Sequence, residues 1–347
     1  MQRKWDLLTL FLITALGAIS LLVIFSINRN LATNQLIYWV IGLSVLSATS
    51  LFPYNNWQRL SVPFYIFVLV CLFLLFFIGH PIRGSIRWID FGPFRFQPSE
   101  LAKIATIFTL AVFYSERSAR QLKNLIISFA IILPFVALIF LEPDLGNSLA
   151  IIAIWFGVSL ARGFRAKTIL LFASVAIAVG IFGYELLGSY QKDRVATFVN
   201  PSRDPLGTGY NIIQSKIAIG SGEFFGRGLG HGSQSQLKFL PEAESDFIFA
   251  SIAEQLGFFG ATIVILLSST LILRVISYSR NVDKFGQLIA VGAASFLALQ
   301  FIVNVGMNLG LLPVTGITLP LISYGGSSLI STLFLLGVVF SVKRYQY

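Results

Sequence analysis

Three carboxylates, Glu242, Glu244 and Asp246, stand together at the end of a long polar stretch and directly ahead of a long apolar run, with Glu254 a further eight residues on. A carboxylate so placed has two readings. It takes the proton of an attacking hydroxyl, as a positioned general base does, or it caps the helix formed by the apolar run, a task that suits Ser245 and Asp246 equally. Residue chemistry leaves both open. A second group, Glu100 and Lys103, follows Pro98 and Ser99 at the start of another apolar run. The i, i+3 spacing puts the two charges on one helix face, close enough to pair, with Ser99 as the expected cap. Charges at the edge of a membrane span are costly unless paired or wet and so mark a site, with a structural ion pair as the alternative. The stretch from Arg83 to Asp90, followed by Phe91, Phe94 and Phe96, mixes guanidinium groups with rings. That is the pattern of a segment at headgroup level, whose arginines, Arg87 among them, reach phosphates or water; an aromatic belt without a substrate role fits equally well. In Glu142-Pro143-Asp144-Leu145-Gly146-Asn147, Asp144 has the position of an N-cap.

Other chemistries find less support. Gly220, Gly222, Gly226, Gly228, Gly230 and Gly232 form a glycine series, but no Gly-Lys-Ser/Thr follows. Tight turns in a surface loop explain it better than a nucleotide site. Cys71 is the only cysteine, and His80 and His231 stand far apart, so no disulfide framework and no protein-built metal or cofactor site is expected. A divalent-cation requirement is not legible in the residues.

The elements that must position these groups are helical membrane spans. Of 347 residues, 56% are apolar and only 12% charged, and the mean hydropathy is +0.80, outside the range of soluble domains. A span takes roughly 20 apolar residues. Continuous apolar runs place spans near 7–27, 35–52, 60–79, 99–115, 124–141, 145–161, 166–187, 247–273, 286–312 and 325–342. The expectation is therefore an all-α polytopic membrane protein of about ten spans, a single domain over 1–347 with a large extracytoplasmic loop at 188–246. The first run is too long for a cleaved signal and lacks a small-residue cleavage site, so it reads as a retained span. Arg3, Lys4, Arg117, Arg120, Arg274 and Lys343 all fall at the N-terminus, the C-terminus or even-numbered connections. The positive-inside rule then puts both termini in the cytoplasm and most of the acidic residues outside. The net charge of +10 is a topology signal, and nothing suggests nucleic acid.

Six blocks along the chain resemble the SEDS family (RodA/FtsW/SpoVE): Phe96 to Lys103; Glu142 to Gly146; Arg194 with Asn200-Pro201 and Asp204-Pro205; Gly209 to Ser215; Phe239 to Phe247; and Leu319 to Ser328. The family often has His-Thr ahead of the loop aspartate, where this chain has Glu244-Ser245. The resemblance implies a peptidoglycan glycosyltransferase of the bacterial cytoplasmic membrane that polymerises lipid II into β-1,4 glycan strands and releases undecaprenyl pyrophosphate. It implies Asp246 as general base, with Glu100, Lys103, Arg194 and Arg87 as substrate-binding groups. It also implies a class B penicillin-binding protein, a single-span transpeptidase, as partner against the eighth and ninth spans. Gln214 to Gly220 looks more like the elongation member RodA than the division member FtsW. A lipid-precursor flippase is the alternative from another class; it calls for ionisable groups near the bilayer midplane, whereas those here cluster at the outer edge.

Overall fold

The computed structural model describes residues 6–78, 87–90, 92, 95–165, 170, 174, 192, 205 and 209–345. Among them, nine long helices form an antiparallel bundle: α1 Leu7–Ile27, α2 Arg29–Leu51, α3 Asn55–Ile78, α4 Pro98–Glu116, α5 Leu122–Leu141, α6 Leu145–Ala161, α9 Ile248–Ser277, α10 Lys284–Asn308 and α11 Gly326–Arg344. Two shorter helices, α7 Tyr210–Ser221 and α8 Ser233–Gln236, and a two-stranded hairpin, β1 Ile89–Asp90 and β2 Arg95–Phe96, complete the described elements. Seven helices are long and apolar enough to cross a membrane. The other two of the nine are α6, apolar but only 17 residues long, and α4, which carries Glu100 and Lys103 in its first two turns.

Nine of the ten expected spans correspond to these helices, and the one at 166–187 lies almost wholly outside the described residues. Two boundaries differ for a physical reason. The second helix begins at Arg29, six residues before the expected start, because Asn28 caps it by accepting from the N–H groups of Asn30 and Leu31. The helix at 286–312 ends at Asn308, where Leu309 caps it and Gly310 turns to φ 70°.

α10 is the central element, packed against α4, α6 and α9, while α11 lies along α2 and α1 joins α9 to α2. In lipid the helices gain little from apolar burial against one another, so close backbone approach matters more. Gly337 shows it: a Cβ there would stand 1.9 Å from Thr49 Oγ1 and 2.6 Å from the Leu46 carbonyl of α2. At the end of the bundle that holds the N-terminus, Asp6 caps α1 by accepting from Thr9 N–H at 3.3 Å. It also receives Arg274 and Tyr278, each at 2.5 Å. Burial pushes the Asp6 carboxyl up, but these hydrogen bonds from Tyr278, Thr9 and Arg274 outweigh it and hold the group below its usual range.

α9 is broken. Gly257 has φ 69° and ψ −167° inside it, and the segment from Glu223 to Gly228 pairs with the backbone on both sides of the break. Arg227 and Gly228 N–H donate to the Glu254 and Gln255 carbonyls at 2.9 and 3.0 Å, and Phe258 and Phe259 N–H donate to the Glu223 and Phe224 carbonyls at 2.9 and 3.2 Å. A broken span survives because another backbone satisfies the groups it frees. This corrects the turn-only reading of the glycine series. A Cβ on Gly226 would stand 2.2 Å from the Gln255 carbonyl, so glycine is required there for close approach as well as for its φ of 85°.

Candidate active site at one end of the bundle

The polar machinery gathers where α4, α6, α9 and α11 begin and α10 ends. On the α4–α6 side, Pro98 occupies the first position of α4, and Gln97, not Ser99, is the N-cap residue. Proline's fixed φ suits that first position, which leaves Ser99 inside the helix, where its hydroxyl accepts from Asn147 at 3.2 Å. Lys103 Nζ donates to Glu100 Oε1 at 2.7 Å and to Asn147 Oδ1 at 3.0 Å, with the Phe296 ring 5.1 Å away. The pairing read from the i, i+3 spacing is thus present, but Lys103 is 0% exposed and Glu100 only 3%. The ammonium therefore does not line an open surface. Its carboxylate partner, an amide and a ring hold it inside.

The chain of contacts continues outward. Asn147 Nδ2 donates to Asp144 Oδ2 at 2.9 Å, and Asp144 Oδ1 accepts from Asn147 N–H at 3.1 Å, which makes Asp144 the cap of α6 as expected. Arg87 Nε lies 3.9 Å from Asp144 Oδ2 and donates to the Glu142 carbonyl at 3.1 Å; its Nη2 donates to the Pro143 carbonyl. Arg87 keeps 18% of its side chain exposed, the outermost member of this series. Glu142 is buried, and neither carboxylate oxygen has a hydrogen-bond partner among the described residues. Burial and the neighbouring Asp144 push its carboxyl up to about 8 against the opposing pull of Arg87.

Asp246 lies on the other side, partly exposed, in a turn just ahead of α9. The capping alternative is not what the structure shows. The N-cap of α9 is Phe247, with no side-chain cap, and the Ala250 N–H is taken by Asn308 Oδ1 of α10 at 3.0 Å. The backbone carrying Asp246 is held carbonyl by carbonyl. Ala243 O accepts from Ser251 Oγ at 2.9 Å, Glu244 O from Tyr324 N–H at 2.8 Å and Ser245 O from Ser323 Oγ at 2.7 Å. Asp246 O itself accepts from Asn304 and Asn308 Nδ2 at 3.1 and 3.0 Å. Glu254 belongs to the scaffold: its oxygens accept from Gln234 and Ser235 N–H at 2.7 and 3.0 Å, anchoring α8.

The segment Thr315–Ile317 joins the two sides. A Cβ on Gly316 would lie 3.7 Å from Asp246 Oδ2, and one on Gly146 would lie 2.8 Å from both the Thr315 carbonyl and Ile317. The same wall therefore touches the aspartate and the start of α6. Arg194 lies outside the described residues. Asn304 and Asn308 escaped the reading of the sequence, and Asn147 entered it only as the last residue of the Glu142–Asn147 stretch with no role assigned, although uncharged amides at lipid depth are themselves a signal of interhelical bonding.

A bundle of long apolar helices with a buried network of Glu100, Lys103, Asn147 and Asp144 at one end is a polytopic membrane protein with a candidate site at the edge of its spans. The chain belongs to the FtsW/RodA/SpoVE family, described as cell cycle proteins, which it matches over residues 2–347. It is 39% identical to peptidoglycan glycosyltransferase MrdB of Escherichia coli over 308 residues, 88% of this chain and 83% of the relative. To stage V sporulation protein E of Bacillus subtilis it is 36% identical over 324 residues, 91% and 87% of the two chains. A solved chain from a study of polymerization and crosslinking by a peptidoglycan synthase complex superposes with TM-score 0.86 at 32% identity, covering 99% of both chains. The crystal structure of RodA from Thermus thermophilus gives 0.75 at 29%, again covering 99% of both.

Proposed function

We propose that this chain is a peptidoglycan glycosyltransferase that polymerises lipid II, with Asp246 as the general base. The class follows from its relatives, several of which carry that name. The observation that carries the assignment is the way Asp246 is held: its main chain is fixed at four successive carbonyls while helix capping is done by Asn308. An acceptor sugar hydroxyl must lose its proton as it attacks the donor's anomeric carbon, and a carboxylate on a rigid support meets that need. Negative charge grows on the departing undecaprenyl pyrophosphate. Arg87, the outermost member of the α4–α6 series, stands where a cation could stabilise it, and Arg194, outside the described residues, is assigned the same role from the family resemblance alone. Glu100 and Lys103 work from beneath: they fix Asn147 and Asp144, and Asp144 in turn faces Arg87.

The site end faces outward in this reading and both termini are cytoplasmic, in a bacterial inner membrane. The residues 188–246 then form one extracytoplasmic loop of a single membrane domain. The partner is a class B penicillin-binding protein whose single span packs against α9 and α10, where Phe258, Phe259, Leu266 and Leu273 of α9 leave apolar surface exposed. The function is cell elongation, in the manner of RodA.

Two experiments test this. The purified protein with its transpeptidase partner should convert lipid II to glycan strands separable on a gel; consumption of no lipid II, with both partners folded, ends the proposal. For orientation, Ser233, exposed at the start of α8, is changed to cysteine in a Cys71→Ser background. A membrane-impermeant thiol reagent should label it in intact cells, and labelling only after lysis reverses the topology.

A further inference from the structure

α10 closes with two asparagines one turn apart, Asn304 and Asn308, both 0% exposed. Amides in an apolar span are costly unless their hydrogen-bonding capacity is used, and here both reach the Asp246 main chain, although Asn308 Nδ2 also donates to the Asn304 carbonyl at 2.8 Å. Asn304 Nδ2 donates to the Asp246 carbonyl at 3.1 Å and to the Ile317 carbonyl at 2.8 Å. Asn308 Nδ2 donates to the same Asp246 carbonyl at 3.0 Å, while its Oδ1 accepts from Ala250 N–H.

We infer that Asn304 and Asn308 are positioning residues for Asp246, an amide clamp that sets where its carboxylate stands relative to the wall at Gly316. The inference rests on Asp246 being the base. Each amide has a distinct share. Asn308 supplies the acceptor that the first turn of α9 would otherwise seek from a residue just ahead of it, so the aspartate is not drawn into capping. Asn304 bridges two carbonyls, one on the residue bearing the carboxylate and one on the residue after Gly316, whose Cβ position is 3.7 Å from Asp246 Oδ2. One side chain thereby fixes the separation between the base and the opposite wall. The clamp grips only the main chain, so both carboxylate oxygens lie outside it.

The test is a double-mutant cycle on full-length protein with its partner, using lipid II as substrate. Asn304→Ala should lower kcat roughly tenfold to a hundredfold with KM within about twofold, the signature of a displaced catalytic group. In an Asp246→Asn background the same change should produce no further fall, because a positioner has nothing left to position. A scaffold role would instead lower the melting temperature and multiply the loss equally in both backgrounds, and that result overturns the inference. So does normal kcat in folded Asn304→Ala protein. If Asn304→Ala does not fold, Asn304→Ser carries the same comparison, its hydroxyl serving one of the two carbonyls. Full activity of Asp246→Asn alone is a different result: it removes the base, and the clamp's purpose with it.

Discussion

Along the main chain that carries Asp246 the donors are neutral amides and hydroxyls and the acceptors are carbonyls, whereas Lys103 is held by a charged partner, Glu100, and by the Asn147 amide. The first arrangement holds a charged residue by its main chain. The second neutralises charge inside the bundle and, among the described residues, reaches Arg87 at its outer end. If Asp246 is the base, as proposed, the polar residues at this membrane edge divide into one that acts and others that hold, and the kind of partner rather than the presence of charge separates them.

The largest effect that can break this contrast is on turnover. Asp246→Asn keeps the shape and the main-chain grip but cannot take a proton at neutral pH, so lipid II polymerisation should fall at least about a hundredfold with the fold intact. Normal turnover by the folded variant would return Asp246 to the scaffold and make Glu244 the next carboxylate to examine. On the other side the effect should be on stability. Lys103→Met leaves Glu100 buried without its cation, at a cost of about 3–5 kcal/mol. The double variant Glu100→Gln, Lys103→Met should recover most of the lost melting temperature. Failure of the double variant to recover would show that the ammonium is needed for more than neutralising Glu100.

A smaller effect should depend on pH. The Glu142 carboxyl stands at about 8 in the fold against an ordinary value of 4.5, so between those values the native state binds a proton that the unfolded chain has released. Stability therefore falls as pH rises through that window and levels off above about 8. Glu142→Gln removes this loss. Its melting temperature should come close to the parent's near pH 5 and exceed it near pH 8 by the equivalent of about 3–4 kcal/mol. An equal difference at both pH values would mean that the carboxyl does not titrate in this range.

Much of the frame was legible because continuous apolar runs have one economical solution in lipid, and the helices start and stop within a few residues of those runs except where a cap intervened, as at Asn28. The pairing of Glu100 with Lys103 followed from spacing alone, and Asp144 as a cap from its position. What spacing did not reveal was burial: nothing local says that Lys103 would be enclosed by Phe296 of a helix nearly two hundred residues away. Asn304 and Asn308 were overlooked for a related reason. They sit in an apolar run, and their partners lie in loops that only the folded bundle brings to them. Whether Asp246 caps α9 was undecidable in sequence, since the cap comes from α10.

The break in α9 bears on how the chain tolerates change in length. Surface loops usually accept insertions because their backbone bonds to water, and tolerance follows burial and bonding rather than position. From Glu223 to Gly228 the loop instead completes the hydrogen bonding of a membrane helix, with glycine at points of contact that a methyl group would block. Adding or deleting one residue there shifts every pairing with Glu254, Gln255, Phe258 and Phe259 at once. Length is therefore as constrained in this segment as in a transmembrane span, and a reporter peptide intended for this end of the protein belongs after Gly228, at the exposed Leu229–His231 corner.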